Sequence, residues 1–183
     1  MVLCNKGDYL AAEDPSFIGS LNAFRAYGIN LVGVKTESDG VDLVALEDAF
    51  KNKKVKVFYT IPNFQNPSGI TMSLEKRKAV LALAQKYNVV IIEDDPYGEL
   101  RYSGEEVPSI RNFIKENCIL LGSFSKIAAP GLRLGWICAN SEIMDKLEYE
   151  LVTLKNGKQY FVLEDVLYQY DTFALLLNVE DES

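Results

Sequence analysis

The stretch Asn88-Val89-Val90-Ile91-Ile92-Glu93-Asp94-Asp95-Pro96-Tyr97-Gly98-Glu99-Leu100-Arg101-Tyr102 decides the fold. Its first part is a continuous apolar, β-branched run. Such a run reads as a strand buried on both faces, and so as part of a parallel sheet. The carboxylates then stand where the strand ends, at the sheet's carboxyl edge. Open α/β sheets bind ligands in the crevice at that edge.

Two further segments repeat this arrangement. Upstream, Tyr59-Thr60-Ile61-Pro62-Asn63-Phe64-Gln65-Asn66-Pro67-Ser68-Gly69 follows the apolar strand Val55 to Tyr59 and opens toward a helix beginning near Ser73. Downstream lies Ser123-Phe124-Ser125-Lys126-Ile127-Ala128-Ala129-Pro130-Gly131-Leu132-Arg133. Two hydroxyls and a guanidinium suit a phosphate monoester. A lysine held against that phosphate can form an imine with an aldehyde.

From Asp8 to about Glu150 the pattern alternates strand and helix. Strands are expected at Tyr9–Glu13, Asn30–Lys35, Val55–Thr60, Val89–Glu93, Ile119–Phe124 and Leu134–Ala139. Helices are expected at Ser16–Tyr27, Leu43–Asn52, Ser73–Tyr87, Ser109–Glu116 and Ser141–Leu151. In the helix after Ser73, Leu74, Ala79, Leu81, Ala82 and Leu83 form the apolar side, and Glu75, Lys76, Arg77 and Lys78 the wet side. The alternation predicts an α/β fold, a mostly parallel sheet with helices on both faces. The short link from Phe124 to Leu134 permits one antiparallel pair. Beyond it, Leu151 to Leu163 has a hairpin signature with Asn156-Gly157 as its turn, and Phe173 to Val179 offers a third strand.

Composition narrows the chemistry. The chain has 183 residues, enough for one domain with a real core. It contains no histidine, which removes Ser-His-Asp hydrolases, Cys-His proteases and histidine metal centres. The three cysteines, without paired spacing, give neither a disulfide framework nor a metal site. Cys118 and Cys138 fall in expected strands and read as buried thiols. No stretch reaches the roughly 18 apolar residues of a membrane span. The absence of a leader pattern and the reduced thiols fit a cytoplasmic protein. Residues 1–140 carry 16 basic and 16 acidic side chains, whereas 141–183 carry 3 and 10, so the whole net charge of −7 sits in the last segment. That asymmetry marks a boundary, with 1–150 as one unit and 151–183 as an acidic, strand-rich second one. The lack of a basic patch with interleaved aromatics argues against nucleic-acid binding.

The ordered set "YTIPNFQNPSG", "EDDPYGELRY" and "GSFSKIAAPGLRLGW" resembles the fold-type I, pyridoxal-phosphate-dependent aminotransferases of class I/II, and most of all the 2-aminoadipate and kynurenine-type branch. The resemblance runs from about Leu3 to about Leu147. It implies part of the large domain of a transferase moving an amino group between an amino acid and a 2-oxo acid. Pyridoxal 5′-phosphate is the implied cofactor and a homodimer the implied assembly.

By the same resemblance, Lys126 matches the lysine that bonds the cofactor's aldehyde and later shuttles the substrate's proton. Asp94 matches the carboxylate beneath the pyridine nitrogen, because the family's aspartate stands three residues before its tyrosine. Asp95 then reads as a helix or turn cap. Tyr97 and Asn66 match the pair beside the cofactor's phenolic oxygen. Ser123, Ser125 and Arg133 match phosphate ligands. Phe17, in Asp14-Pro15-Ser16-Phe17, matches the aromatic on the ring face, with a place in the core as the equal alternative.

Full members also carry a glycine- and serine-containing loop ahead of this region and a C-terminal small domain with a carboxylate-gripping arginine. Neither pattern occurs here, and the segment 151–183 does not match the family. The expectation is therefore a truncated aminotransferase, joined by fusion, frameshift or assembly error to part of something else, with weak or no activity alone. The competing expectations are a non-catalytic remnant and an acidic interaction module at 151–183.

Overall fold

Side chains alternating along central strands feed two separate layers of core. The computed structural model describes residues 2–132, 134–153, 160–163, 166–169 and 173–178. Strands and helices alternate as β1 (Tyr9–Asp14), α1 (Ile18–Ala26), β2 (Asn30–Glu37), β3 (Gly40–Val41), α2 (Leu43–Lys53), β4 (Val57–Thr60), α3 (Leu74–Tyr87) and β5 (Val90–Asp94). Then follow β6 (Cys118–Ser123), α4 (Phe124–Ile127), β7 (Leu134–Ala139), α5 (Ser141–Thr153), β8 (Tyr160–Leu163), β9 (Val166–Gln169) and β10 (Phe173–Asn178). The main sheet runs β10-β7-β6-β5-β4-β1-β2-β3. Strands β2, β1, β4, β5 and β6 are mutually parallel, and β7 lies antiparallel to β6 across the short link.

The pleat sorts neighbours to opposite faces. Ala11, Phe58 and Ile91 point to the side covered by α2 (Leu46, Ala49, Phe50) and α3 (Val80, Leu81, Ala84). Leu10, Ala12, Val57 and Tyr59 point to the other side, where Leu21 and Phe24 of α1 pack. Ile143 and Met144 of α5 pack with Ile119 and Ala139 on this second side. Helices thus cover both faces, as an alternating α/β pattern requires. Among the described residues no helix is long and apolar enough to cross a membrane.

Several expectations are corrected. Lys76 and Arg77 do not face water: both are buried, Arg77 completely. Arg77 donates to the carbonyls of Met72, Pro62, Val107 and Pro108 and to Asn63 Oδ1. Lys76 pairs with Glu37 and Asp39. Long cationic side chains here serve as internal ties, which a helical wheel cannot register. The expected helix Ser109–Glu116 is only the 3₁₀ turn Ile110–Phe113. Its amides at Ile110 and Arg111 are taken by buried Glu93, and Arg111 Nη1 bonds the carbonyls of Lys115 and Cys118, so the backbone is drawn away from an α path.

The expected hairpin is displaced. Leu151 to Thr153 are the end of α5, whose helical register is set by the packing of Ile143, Met144 and Leu147. The observed hairpin pairs β8 with β9, one strand later, and Asn156-Gly157 lies outside the described residues. Phe173–Asn178 does not extend that hairpin but pairs with β7 in the main sheet. The boundary expected at 150/151 accordingly falls within α5.

Candidate functional site

Parallel register gathers the chemistry. Tyr59 lies beside Ala12 in β1 and beside Ile92 in β5, and Asp94 lies beside Leu121 in β6. The carboxyl ends of β1, β4, β5 and β6 therefore share one edge. They release, in turn, the Pro15–Phe17 arm, the 61–71 loop with Asn66, the Asp94–Tyr97 turn, and the Ser123–Lys126 corner.

Along β5 the pleat separates the acids. Glu93 follows Ile91 toward α2 and α3 and is completely buried. Asp94 follows Ile92 toward the α1 side, where the Tyr59 hydroxyl donates to its Oδ2 at 2.5 Å. Burial pushes the Asp94 carboxyl up, the Tyr59 bond pulls it down, and neighbouring Asp95 pushes it up again. Tyr59 is held neutral, first by burial and then by the Asp94 charge. Ser20 Oγ of α1 donates to the same hydroxyl at 3.0 Å. Asp95 turns the other way: it accepts from Gly98 N at 2.9 Å and from Asn63 Nδ2 at 2.8 Å, and so caps the turn after Tyr97.

Across the crevice, Asn66 Nδ2 approaches Tyr97 Oη at 3.4 Å, the long limit of a hydrogen bond. Two polar groups this loosely paired keep donor capacity for a third atom between them. They line a cleft of about 560 Å³ with Phe64, Leu100 and Tyr102 on its walls. The Asn66 loop is tied down behind: Gln65 Nε2 donates to Glu13 Oε2 and to Pro15 O. Glu13, 3% exposed, also takes Thr60 Oγ1 and Ile61 N. Burial pushes its carboxyl up to about 7 against those bonds.

At the third strand end, Ser123 Oγ accepts from Ser125 N and caps α4. The short helix presents Lys126 on the surface and leaves Ser123 and Ser125 half-buried beside it. Gly122 allows this corner to form: a Cβ there would meet Trp136 Cε2 at 2.1 Å, so the indole lies directly over the strand. Arg133 lies outside the described residues. Phe17 is 39% exposed, so the core alternative fails, and its ring folds over Gly19, where a Cβ would stand 2.6 Å from Cζ.

The structure thus brings Asn66, Asp94, Tyr97, Ser123, Ser125 and Lys126 to one edge, with Phe17 at the end of the neighbouring strand. Tyr59 and Ser20 belong to the same site and escaped the sequence reading, which took Tyr59 only as the end of a strand. The signal was its position: two residues behind Asp94's level on the adjacent strand, and on the same face.

The pattern of the family described as aminotransferase class I and II matches residues 1–149. An aromatic-amino-acid aminotransferase 1 from Thermococcus litoralis is 44% identical over 153 residues, covering 80% of this chain but 37% of its own. Among solved structures, a multiple substrate aminotransferase from Thermococcus profundus superposes with a TM-score of 0.80 at 38% identity, over 84% of this chain and 40% of its own. The α-aminoadipate aminotransferase LysN from Thermus thermophilus, complexed with N-(5′-phosphopyridoxyl)-L-leucine, gives 0.77 at 36% identity, over 81% of this chain and 39% of its own. The chain therefore spans about two fifths of the length of these relatives.

Proposed function

The chain belongs to the class I and II aminotransferases, and we propose that it is the cofactor-holding part of an enzyme that moves an amino group between an amino acid and a 2-oxo acid. Pyridoxal 5′-phosphate is the cofactor in this reading. When bound, it supplies an electron sink for negative charge developing at the substrate's Cα. The observation that carries the reading is the convergence of an amine, a half-buried carboxylate and an amide–phenol pair at the ends of three adjacent parallel strands. That donor set fits the group: an acid for a ring N–H, two donors for a phenolate, hydroxyls for a phosphate. The phosphopyridoxyl ligand of the Thermus relative supports the same assignment.

In this reading Lys126 Nζ would hold the cofactor's aldehyde carbon covalently, with water as the leaving group, and when free of it would move the proton at the substrate's Cα. Asp94 keeps a positive charge on the pyridine nitrogen. Tyr97 Oη and Asn66 Nδ2 donate to the phenolic oxygen. Ser123 and Ser125, with Arg133, bind the phosphate, and Phe17 covers one ring face. A cytoplasmic homodimer is part of the same proposal.

The test is spectroscopic. Full-length chain mixed with pyridoxal phosphate is expected to develop a visible absorption band that borohydride bleaches while fixing the pyridoxyl group to a single peptide, and that Lys126→Ala abolishes. Identical spectra for wild type and Lys126→Ala would sink the assignment.

A further inference from the structure

We propose that Tyr59 is a positioning residue for Asp94: its hydroxyl, itself steered by Ser20, holds Oδ2 in one orientation and keeps the carboxylate ionised, so that Oδ1 faces a cationic heterocyclic N–H. The proposal rests on the reading of Asp94 given above and extends it to two residues outside the strand-end motifs.

The geometry makes the arrangement specific. Tyr59 stands in β4 beside Ile92, diagonal to Asp94 and on the same face of the sheet. A side chain of tyrosine length reaches forward along that diagonal to the next strand's end. Its ring is 1% exposed and braced edge-on by Phe24, with centroids 5.5 Å apart. The hydroxyl can therefore go nowhere else. It donates one proton, to Asp94 Oδ2 at 2.5 Å, and accepts one, from Ser20 Oγ at 3.0 Å. Ser20 sits in α1, the helix entered directly from Phe17. The relay thus links the arm bearing the ring-face aromatic to the acid beneath the ring.

The acid needs this support. Burial opposes a negative charge on it, and its own neighbour Asp95 opposes it further. Burial of Tyr59, and next to it the Asp94 charge, disfavour loss of the phenolic proton. The phenol therefore stays a donor, and a short O–H···O⁻ bond to a carboxylate is a strong one. Removing the oxygen leaves a half-buried charge facing an apolar ring and a second acid.

The test uses the full chain and Tyr59→Phe, which keeps the braced ring, with Ser20→Ala as the milder break. Without cofactor, the carboxyl ¹³C resonance of Asp94, assigned through Asp94→Asn, is titrated in each protein. Tyr59→Phe is expected to raise the midpoint by at least one pH unit, a tenfold gain in proton affinity. Ser20→Ala is expected to raise it less. With pyridoxal phosphate, Tyr59→Phe is expected to weaken binding about tenfold below the variant's Asp94 midpoint, with the loss closing above it. In an Asp94→Asn background the same change should have no effect. An unmoved Asp94 midpoint overturns the proposal, and so does equal cofactor affinity of wild type and Tyr59→Phe throughout the pH range. A wild type that binds no cofactor refutes the reading of the site instead, while the titration still decides whether Tyr59 governs Asp94.

Discussion

Gln65 Nε2 donates to Glu13 Oε2 at 3.2 Å, joining the loop after β4 to the end of β1 across 52 residues of sequence. The same nitrogen reaches Pro15 O at 2.8 Å. One amide thus fixes the arm that carries Phe17 and the loop that carries Asn66 to each other. The alternating pleat is what turns Glu13 inward among Thr60 and Ile61 rather than out to solvent.

That carboxylate makes stability depend on pH. Burial pushes Glu13 from an ordinary 4.5 up to about 7 in the folded chain. Between those values the unfolded chain has released the proton that the folded one still binds, so stability falls as pH rises through this window. Its contribution is fully present below about 4.5 and lost above about 7. The loss is roughly 2–4 kcal/mol at about 1.4 kcal/mol per pH unit. Glu13→Gln, which cannot ionise, is expected to flatten the decline between pH 5 and 8 in urea titrations. A variant whose stability declines as steeply as wild type over that interval would show that Glu13 is not the group responsible.

A second expectation concerns Arg77. It is wholly buried, five oxygens accept from it, and Glu93 lies 3.9 Å away, also wholly buried. Arg77→Met fills much of the volume but strips Glu93 of its counter-charge and leaves several carbonyls unpaired. Breaking one partner of a buried pair costs about 3–5 kcal/mol. Chemical denaturation should register a loss of that order, a large part of a typical domain's margin. A change below about 1 kcal/mol would mean that Glu93's bonds from Ser109 Oγ and from the Ile110 and Arg111 amides suffice alone.

The apolar runs made β1, β2, β4, β5, β6 and β7 legible to within two residues, because a buried strand needs apolar side chains. The start of α3 was legible too: Ser73, where that helix is expected to begin, caps it by accepting from Lys76 N. What local pattern could not carry was long-range polarity. The bonds Tyr59 to Asp94 and Thr60 to Glu13 span 35 and 47 residues and leave no periodic trace. Arg77 read as a wet helical residue because four of its five acceptors are backbone carbonyls, which no side-chain pattern encodes. The four-residue helix α4 was invisible for another reason: it is defined by the Ser123 cap, not by an apolar repeat. At Leu151-Val152-Thr153 strand propensity misled, since packing of α5 on the sheet outweighs it.

Gly122 should be intolerant of any side chain. A methyl group there would collide with Trp136, whose indole covers the strand just before the Ser123–Lys126 corner. Gly122→Ala must displace the ring or the strand, and overpacking of this kind costs about 1–3 kcal/mol. Trp136 is the chain's one tryptophan, so its fluorescence reports the shift directly. A displaced emission maximum together with weaker pyridoxal phosphate binding is expected. An unchanged spectrum with native stability would mean that the indole does not lie where the structure has it.

Asp95 is expected to matter through Tyr97 rather than through the ring nitrogen. Its carboxylate caps the turn by accepting from Gly98 N, and it also takes Asn63 Nδ2, whose Oδ1 in turn accepts from Arg77 Nη2 at 2.6 Å. Tyr97 is thereby suspended from the buried arginine by two intermediaries. Asp95→Ala frees the turn and orphans the Asn63 amide, at a cost of about 1–3 kcal/mol. Asp95→Asn keeps an acceptor for Gly98 N but sets a second amide N–H against Asn63 Nδ2, so it should recover only the Gly98 part of that loss. Cofactor affinity should fall roughly tenfold in Asp95→Ala, because a wandering phenol loses about one charge-assisted hydrogen bond. The ring nitrogen's charge should be unaffected, because Asp94 remains, so the visible band should keep its wavelength. A band that moves in Asp95→Ala, and stays put in Asp94→Asn, would exchange the roles of the two acids.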